Sequence, residues 1–174
     1  MSDALIRPAG LQDVAAITRI YAYAVRNGTA TFELEPPVEA EMARRQQALL
    51  ANDYPYVVAE RSGMVAGYAY VSHFHTRPAY RWSVEDSIYV DPQFHGQGLG
   101  RLLITRLLAD AEARGFRQMI AVIGDSANAA SVALHAGAGF RLIGTLKSVG
   151  FKHGRWLDTV VMQRALGTAD ASPP

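Results

Sequence analysis

The chain contains no cysteine among its 174 residues. That excludes disulfides, thiolate zinc sites and a cysteine nucleophile, and it suits a reducing compartment; a cytoplasmic protein is expected. Net charge is nearly absent, with 17 Lys and Arg against 16 Asp and Glu, a formal +1. No broad field for nucleic acid or a membrane surface follows from such a balance. No apolar run approaches the roughly 18 residues of a membrane span, and the N-terminus lacks a basic-then-apolar signal pattern. A Gly-x-x-x-x-Gly-Lys-[Ser/Thr] phosphate loop is also missing. What is present is an ordinary globular composition, 49% hydrophobic and 19% charged, of a length that suits one domain. Residues 1–166 are expected to form that domain, with 167–174 as a flexible tail.

Periodicity places the elements. Leu5-Ile6-Arg7 reads as a short strand. After Gly10-Leu11-Gln12-Asp13, the residues Val14, Ile17, Ile20, Tyr21 and Ala24 recur at helical spacing until Asn27-Gly28. Thr29 to Pro37 is irregular, and a second helix follows near Val38 to Ala51, with Met42, Leu49 and Leu50 on one side. Tyr56 to Ala59 and Val65 to Ser72 are strands joined by a turn at Ser62-Gly63, and a loop from His73 to Arg81 leads to a strand from Ser83 to Val90. A helix from Leu99 to Ala113 stops at Gly115. Met119 to Ile123 is almost wholly apolar and is expected to be buried on both faces. A helix over about Ala127 to Ala138 ends at Gly139, and Leu142–Val149 and Trp156–Met162 form a last hairpin around His153-Gly154. Early strands followed by β-α-β-α-β-β predict an α/β (α+β) protein: a mixed central sheet with helices on both faces.

The most informative stretch is His95-Gly96-Gln97-Gly98-Leu99-Gly100, set between a strand and a helix N-terminus. Such a turn leaves backbone N–H groups unpaired at the positive end of the helix dipole, and glycine permits both positive φ and close approach of a bulky anion. A phosphate or pyrophosphate is the natural guest. The glycines at 96, 98 and 100 do not fit the Gly-x-Gly-x-x-Gly dinucleotide fingerprint.

The spacing Gln/Arg-x-x-Gly-x-Gly, with His95 at the first position and Gly98 and Gly100 matching, resembles the pyrophosphate loop of the GNAT N-acetyltransferases, which use acetyl-coenzyme A. A second match lies downstream: Asn128, Ser131, His135 where the family often has Tyr, and Gly139-Phe140. Residues 77–90, Ala121-Val122-Ile123-Gly124, Leu134-His135 and Gly150-Phe151-Lys152-His153-Gly154-Arg155-Trp156-Leu157-Asp158 resemble the phosphinothricin and methionine-sulfoximine acetyltransferases of that family, over nearly all of residues 4–166. The resemblance implies acetyl transfer from acetyl-CoA to the α-amino group of a small zwitterionic amino acid with a phosphinate, sulfone or sulfoximine head. It also implies Glu85 as base and His135 as its catalytic partner, serving the departing thiolate, with Asn128 and Ser131 on the pantetheine arm. A homodimer is implied in the same way.

Geometry adds to this. Asn128, Ser131 and His135 share one helical face. Glu85 and Ser87 share one strand face, and Asp86 takes the other. Backbone groups of Ile88, Tyr89 and Val90 are placed to hold the pantetheine, and residues His95 to Arg101 (Gly96, Gln97, Gly98, Leu99 and Gly100 between them) the pyrophosphate. Arg81, beside Tyr80, is proposed for the substrate's anionic end, Phe32 as a wall, and Lys152 from the last hairpin as a further contact. His73, His75 and His153 lack metal-ligand spacing, so no metal is expected. The rival readings are acetylation of a peptide or protein N-terminus or of a polyamine, and a non-catalytic acetyl-CoA sensor. The basic loop from His73 to Arg81 disfavours a polyamine, and the joint presence of Glu85, Asn128 and His135 disfavours a sensor.

Overall fold

The computed structural model describes residues 4–173; Met1–Asp3 of the expected domain and Pro174 of the expected tail lie outside them. Seven strands form one sheet: β1 (Leu5–Pro8), β2 (Tyr56–Arg61), β3 (Met64–His73), β4 (Ser83–Val90), β5 (Gln118–Gly124), β6 (Arg141–Lys152) and β7 (Arg155–Ala165). Their order is β1-β2-β3-β4-β5-β7-β6. Only β4 and β5 pair in parallel; the other neighbours are antiparallel.

Four helices cover the sheet, as the alternation of patterns predicts. α1 (Val14–Asn27) and α2 (Glu39–Ala51) lie over β2 to β4 on one face. Ile17, Ile20, Tyr21 and Val25 of α1 and Met42 of α2 pack there on Tyr56, Val58 and Tyr68. α3 (Leu99–Ala113) lies on the other face, where Leu99, Leu103, Ile104, Leu107 and Ala111 pack on Val57, Ala69, Val71, Val84 and Met119. α4 (Ala129–Gly137) follows β5 on this same side.

Three sequence expectations need correction. β5 is not buried on both faces: Val122 is 38% exposed, because α1 and α2 stop over β4 and leave that side of β5 uncovered. Leu50 of α2 is 40% exposed, and Gln46 takes the buried position one turn earlier. The last hairpin is longer than the apolar runs suggested. Its ladder continues from Arg141↔Gln163 to Lys152↔Arg155 through irregularities at Leu142/Gly144 and Leu146/Gly150. The expected turn stands: His153 and Gly154 have φ of 52° and 74°, the double left-handed conformation that matches strand twist in a two-residue hairpin.

Candidate active site

The parallel pairing of β4 with β5 is short. It joins Ser83–Asp86 to Gln118–Ala121 and ends there. Beyond it the strands part, so the edge of β4 from Ser87 to Val90 has no β5 partner. Backbone N–H and C=O groups left in this way must find another partner. A groove of about 930 Å³ opens at this point, lined by Ile88, Tyr89, Val90, His95, Gly98, Arg101, Asn128 and Ser131 among others. That is the size of a cofactor site. A smaller cleft continues between the strands, lined by Asp86, Ser87, Gly124 and His135. Ala30, Ile88, Tyr89, Asn128 and Ser131 line both, and so mark the junction.

The glycine loop forms one wall. Gly96 and Gly98 have φ of 73° and 80°, and a Cβ added to either would meet nothing within 4 Å. Gly98 is the N-cap of α3. The loop is therefore an open turn at a helix N-terminus, a position that favours negative charge. Gly100 serves packing instead: a Cβ there would come within 3.2 Å of Leu134 on α4. His95 Nε2 lies 2.9 Å from Val90 O and ties the loop to β4. Gln97 donates to Gln93 O and accepts from Arg61. Leu99 is buried in the core, while Arg101 is exposed in the first turn of α3.

α4 supplies the second wall. Asn128, expected on the helical face of Ser131 and His135, is instead the N-cap outside the helix, its Oδ1 accepting from Ser131 N at 3.2 Å. His135 is buried, with Nδ1 2.7 Å from Ser131 O and Nε2 2.9 Å from Asp86 Oδ2. Burial alone would lower the imidazole pKa, but the Asp86 carboxylate and the Ser131 carbonyl outweigh it and raise it overall. Asp86 was not singled out from sequence. The signal was there: it is a charged residue on the strand face that otherwise carries Val84 and Ile88.

Glu85 points to the opposite face of β4, as the alternation required. It makes no hydrogen bond among the described residues, and burial, with the Asp86 charge adding to it, pushes its carboxyl up to about 7. It is thus poised to titrate near neutrality.

Residues after α1 close over this face. Phe32 is wedged where a Cβ on Gly124 or Gly150 would strike its ring. Lys152 is buried rather than solvated, and its Nζ donates to Thr31 O at 2.8 Å. Burial pulls its pKa down, and Glu33 partly offsets this. Asp125, also unanticipated, sits at φ 70° between β5 and α4. It accepts from Thr29 Oγ1 at 3.0 Å, Arg155 Nη2 at 2.5 Å and Ala127 N at 3.0 Å. One carboxylate thereby fastens the loop after α1, the β5–α4 connection and the last hairpin. Glu85, Phe32, Lys152, Tyr80 and Arg81 line neither the groove nor the cleft. Arg81 lies over the Trp82 ring at 5.1 Å, and Tyr80 packs on Phe74 and His75. Among the described residues no three His, Asp or Glu side chains gather to hold a metal.

A parting parallel strand pair, an open glycine turn at the next helix N-terminus and a buried carboxylate beside the opening together define an acyltransferase site. Residues 6–161 match the model of the acetyltransferase (GNAT) domain, and the chain belongs to the GNAT acetyltransferase family. It is 52% identical over 162 residues to the phosphinothricin N-acetyltransferase of Alcaligenes faecalis, covering 93% of this chain and 82% of that protein. It is 39% identical over 161 residues to the L-methionine sulfoximine/L-methionine sulfone acetyltransferase of Salmonella typhimurium, covering 92% and 94%. Among solved structures, a GNAT phosphinothricin acetyltransferase from Sinorhizobium meliloti, in complex with acetyl-CoA, superposes with a TM-score of 0.96. It is 52% identical, with 98% of this chain and 92% of that one covered.

Proposed function

We propose that the protein transfers an acetyl group from acetyl-CoA to the α-amino group of a small amino acid such as phosphinothricin, methionine sulfoximine or methionine sulfone. The observation that carries this is the parting of β4 from β5 at Asp86 and Ala121, which leaves an unpaired strand edge leading to the glycine cradle. The backbone of Ile88, Tyr89 and Val90, with Asn128 and Ser131, takes the pantetheine arm. The loop from His95 to Arg101 takes the pyrophosphate. Relatives named for acetyl-CoA and for these amino acids support the same reading.

Glu85 is the general base. Its carboxyl near pH 7 can accept the ammonium proton and release it again. The free amine then attacks the thioester carbon directly, because the cysteine-free chain presents no evident activated nucleophile. His135 stands on the leaving-group side. Phe32 and Lys152 wall the amine pocket. Residues 1–166 form the catalytic unit, which works in the cytoplasm as a homodimer. The apolar residues left exposed along β6 and β7, among them Leu142, Leu146, Phe151 and Trp156, support a partner face there. Among the described residues no helix is long and apolar enough to cross a membrane.

The test is thiol release from acetyl-CoA with phosphinothricin, methionine sulfone, methionine sulfoximine, spermidine and a peptide amine. Turnover on the first three alone is expected. Turnover confined to spermidine or the peptide would overturn the pocket assignment, and cofactor binding without turnover on any amine would favour a sensor.

A further inference from the structure

We infer that Asp86, His135 and Ser131 form a proton relay serving the departing thiolate, with Asp86 as the positioning residue. The inference rests on the acetyl-transfer reading above. Both ring nitrogens of His135 face oxygen. Nδ1 lies 2.7 Å from Ser131 O and 3.4 Å from Ser131 Oγ, and Nε2 lies 2.9 Å from Asp86 Oδ2. A backbone carbonyl only accepts, so Nδ1 carries a hydrogen. Nε2 faces the Asp86 carboxylate at 2.9 Å and so carries a second hydrogen. A lone pair set against a lone pair in a buried contact would leave both groups unsatisfied. The pair therefore holds one proton more than a neutral imidazole beside a carboxylate.

Nothing else competes for that proton. Asp86 and His135 are 6% and 4% exposed. Asp86 Oδ1 has no partner among the described residues. β5 presents Ala121 and Ile123 to the shared cleft, the Phe140 ring stands edge-on to the imidazole at 5.1 Å, and Glu85 lies on the opposite sheet face. Ser131 is the member that reaches the junction of cleft and groove. Asp86, buried one strand away, acts only through the ring.

The step balances. As the carbon–sulfur bond breaks, its electron pair stays on sulfur. Ser131 Oγ gives its proton to sulfur and takes the Nδ1 proton in return. His135 is left neutral, its Nε2–H donating to the Asp86 carboxylate, and solvent recharges the ring before the next turnover. Glu85 passes the proton it took from the ammonium to solvent and then takes the second proton, which the attacking nitrogen loses as the tetrahedral intermediate collapses and the carbonyl re-forms; two protons leave nitrogen, one reaches sulfur and one is released net.

The test combines kinetics of Asp86→Asn and Ser131→Ala, on whichever amine the native enzyme acetylates, with nitrogen NMR of the His135 ring. Each variant is expected to lose roughly 10²-fold in kcat, with the KM for acetyl-CoA held within about threefold for Asp86→Asn. The double variant should be no slower than the slower single one, since the groups act as a unit. In Asp86→Asn the alkaline limb of the kcat profile should move to lower pH, because the carboxylate that keeps the ring charged is gone. The native ring should read as imidazolium at pH 7, and the Asp86→Asn ring as neutral. An unmoved alkaline limb, additive losses or a neutral native ring would each overturn the relay. If Asp86→Asn does not fold, the native ring and Ser131→Ala still decide. Absence of native turnover on every amine overturns the acetyl-transfer reading instead, and the ring's charge still reports on the relay.

Discussion

At the scale of single residues, β4 sets two neighbouring carboxylates in opposite roles. Glu85 and Asp86 differ by one position and therefore by one face. Asp86 is held by an imidazole, whereas Glu85 is half-buried with no hydrogen-bond partner among the described residues, and burial pushes its carboxyl up to about 7. Glu85→Gln should lower kcat at least 10²-fold while leaving the acetyl-CoA Kd within about twofold, measured by steady-state kinetics and calorimetry. The native kcat/KM should fall below about pH 7, as Glu85 protonates, and that acid limb should vanish in the variant. Stability moves the other way. A carboxyl raised on folding binds its proton more tightly in the folded state, so its stabilising contribution is complete below the unfolded value. It is lost as pH rises toward 7. Glu85→Gln should therefore raise Tm at pH 8, by up to about 2 kcal/mol of stability, and leave it unchanged at pH 4. The alternation of β4 was legible in the sequence; the partner of Asp86 was not, since His135 lies 49 residues away.

At the scale of elements, glycines and one aspartate set the shape of the cleft. Gly98 combines a left-handed φ with empty space where its side chain would be. Gly98→Val should strain the α3 N-cap by about 1 kcal/mol and fill the cradle. The expected outcome is a tenfold or larger rise in acetyl-CoA Kd with only a small fall in Tm. Asp125 joins three segments that are far apart in sequence. Asp125→Ala should cost about 2–4 kcal/mol in denaturant unfolding, through lost charged hydrogen bonds and a left-handed alanine. It should also raise the KM for the amine more than that for acetyl-CoA, since Thr29 and Arg155 flank the Phe32 and Lys152 side of the site. Asp125→Asn, which tolerates the same φ, should fall between. The glycine loop could be read from spacing alone. Asp125 could not, because its meaning lies in Thr29 and Arg155, two partners that only the fold brings to it, and Lys152 reads as a surface charge until the loop after α1 closes over it.

At the scale of the whole molecule, the sheet is covered unevenly. α1 and α2 shield β2 to β4, and α3 and α4 shield the other face, but β6 and one side of β5 remain open. Trp156 is 64% exposed and packs edge-on against Phe151, itself 57% exposed. A soluble monomer seldom shows so many large apolar side chains on one hairpin. Light scattering is expected to give twice the 18.9 kDa chain mass. Phe151→Glu with Trp156→Lys should yield a folded monomer, and a native monomer at micromolar concentration would remove this face as an interface.

The sequence by itself determined the order and type of the elements, the glycine turn ahead of α3 and the common face of Ser131 and His135. Each is written in local spacing: a period of 2 or 3.6, a glycine where φ turns positive, polar residues four apart. Tertiary structure decided where β4 lets go of β5, which carboxylate meets the imidazole, and that Lys152 is buried. It also decided which face of β5 stays bare. These depend on strand neighbours drawn from distant parts of the chain and on where each helix ends over the sheet, and no local pattern records either.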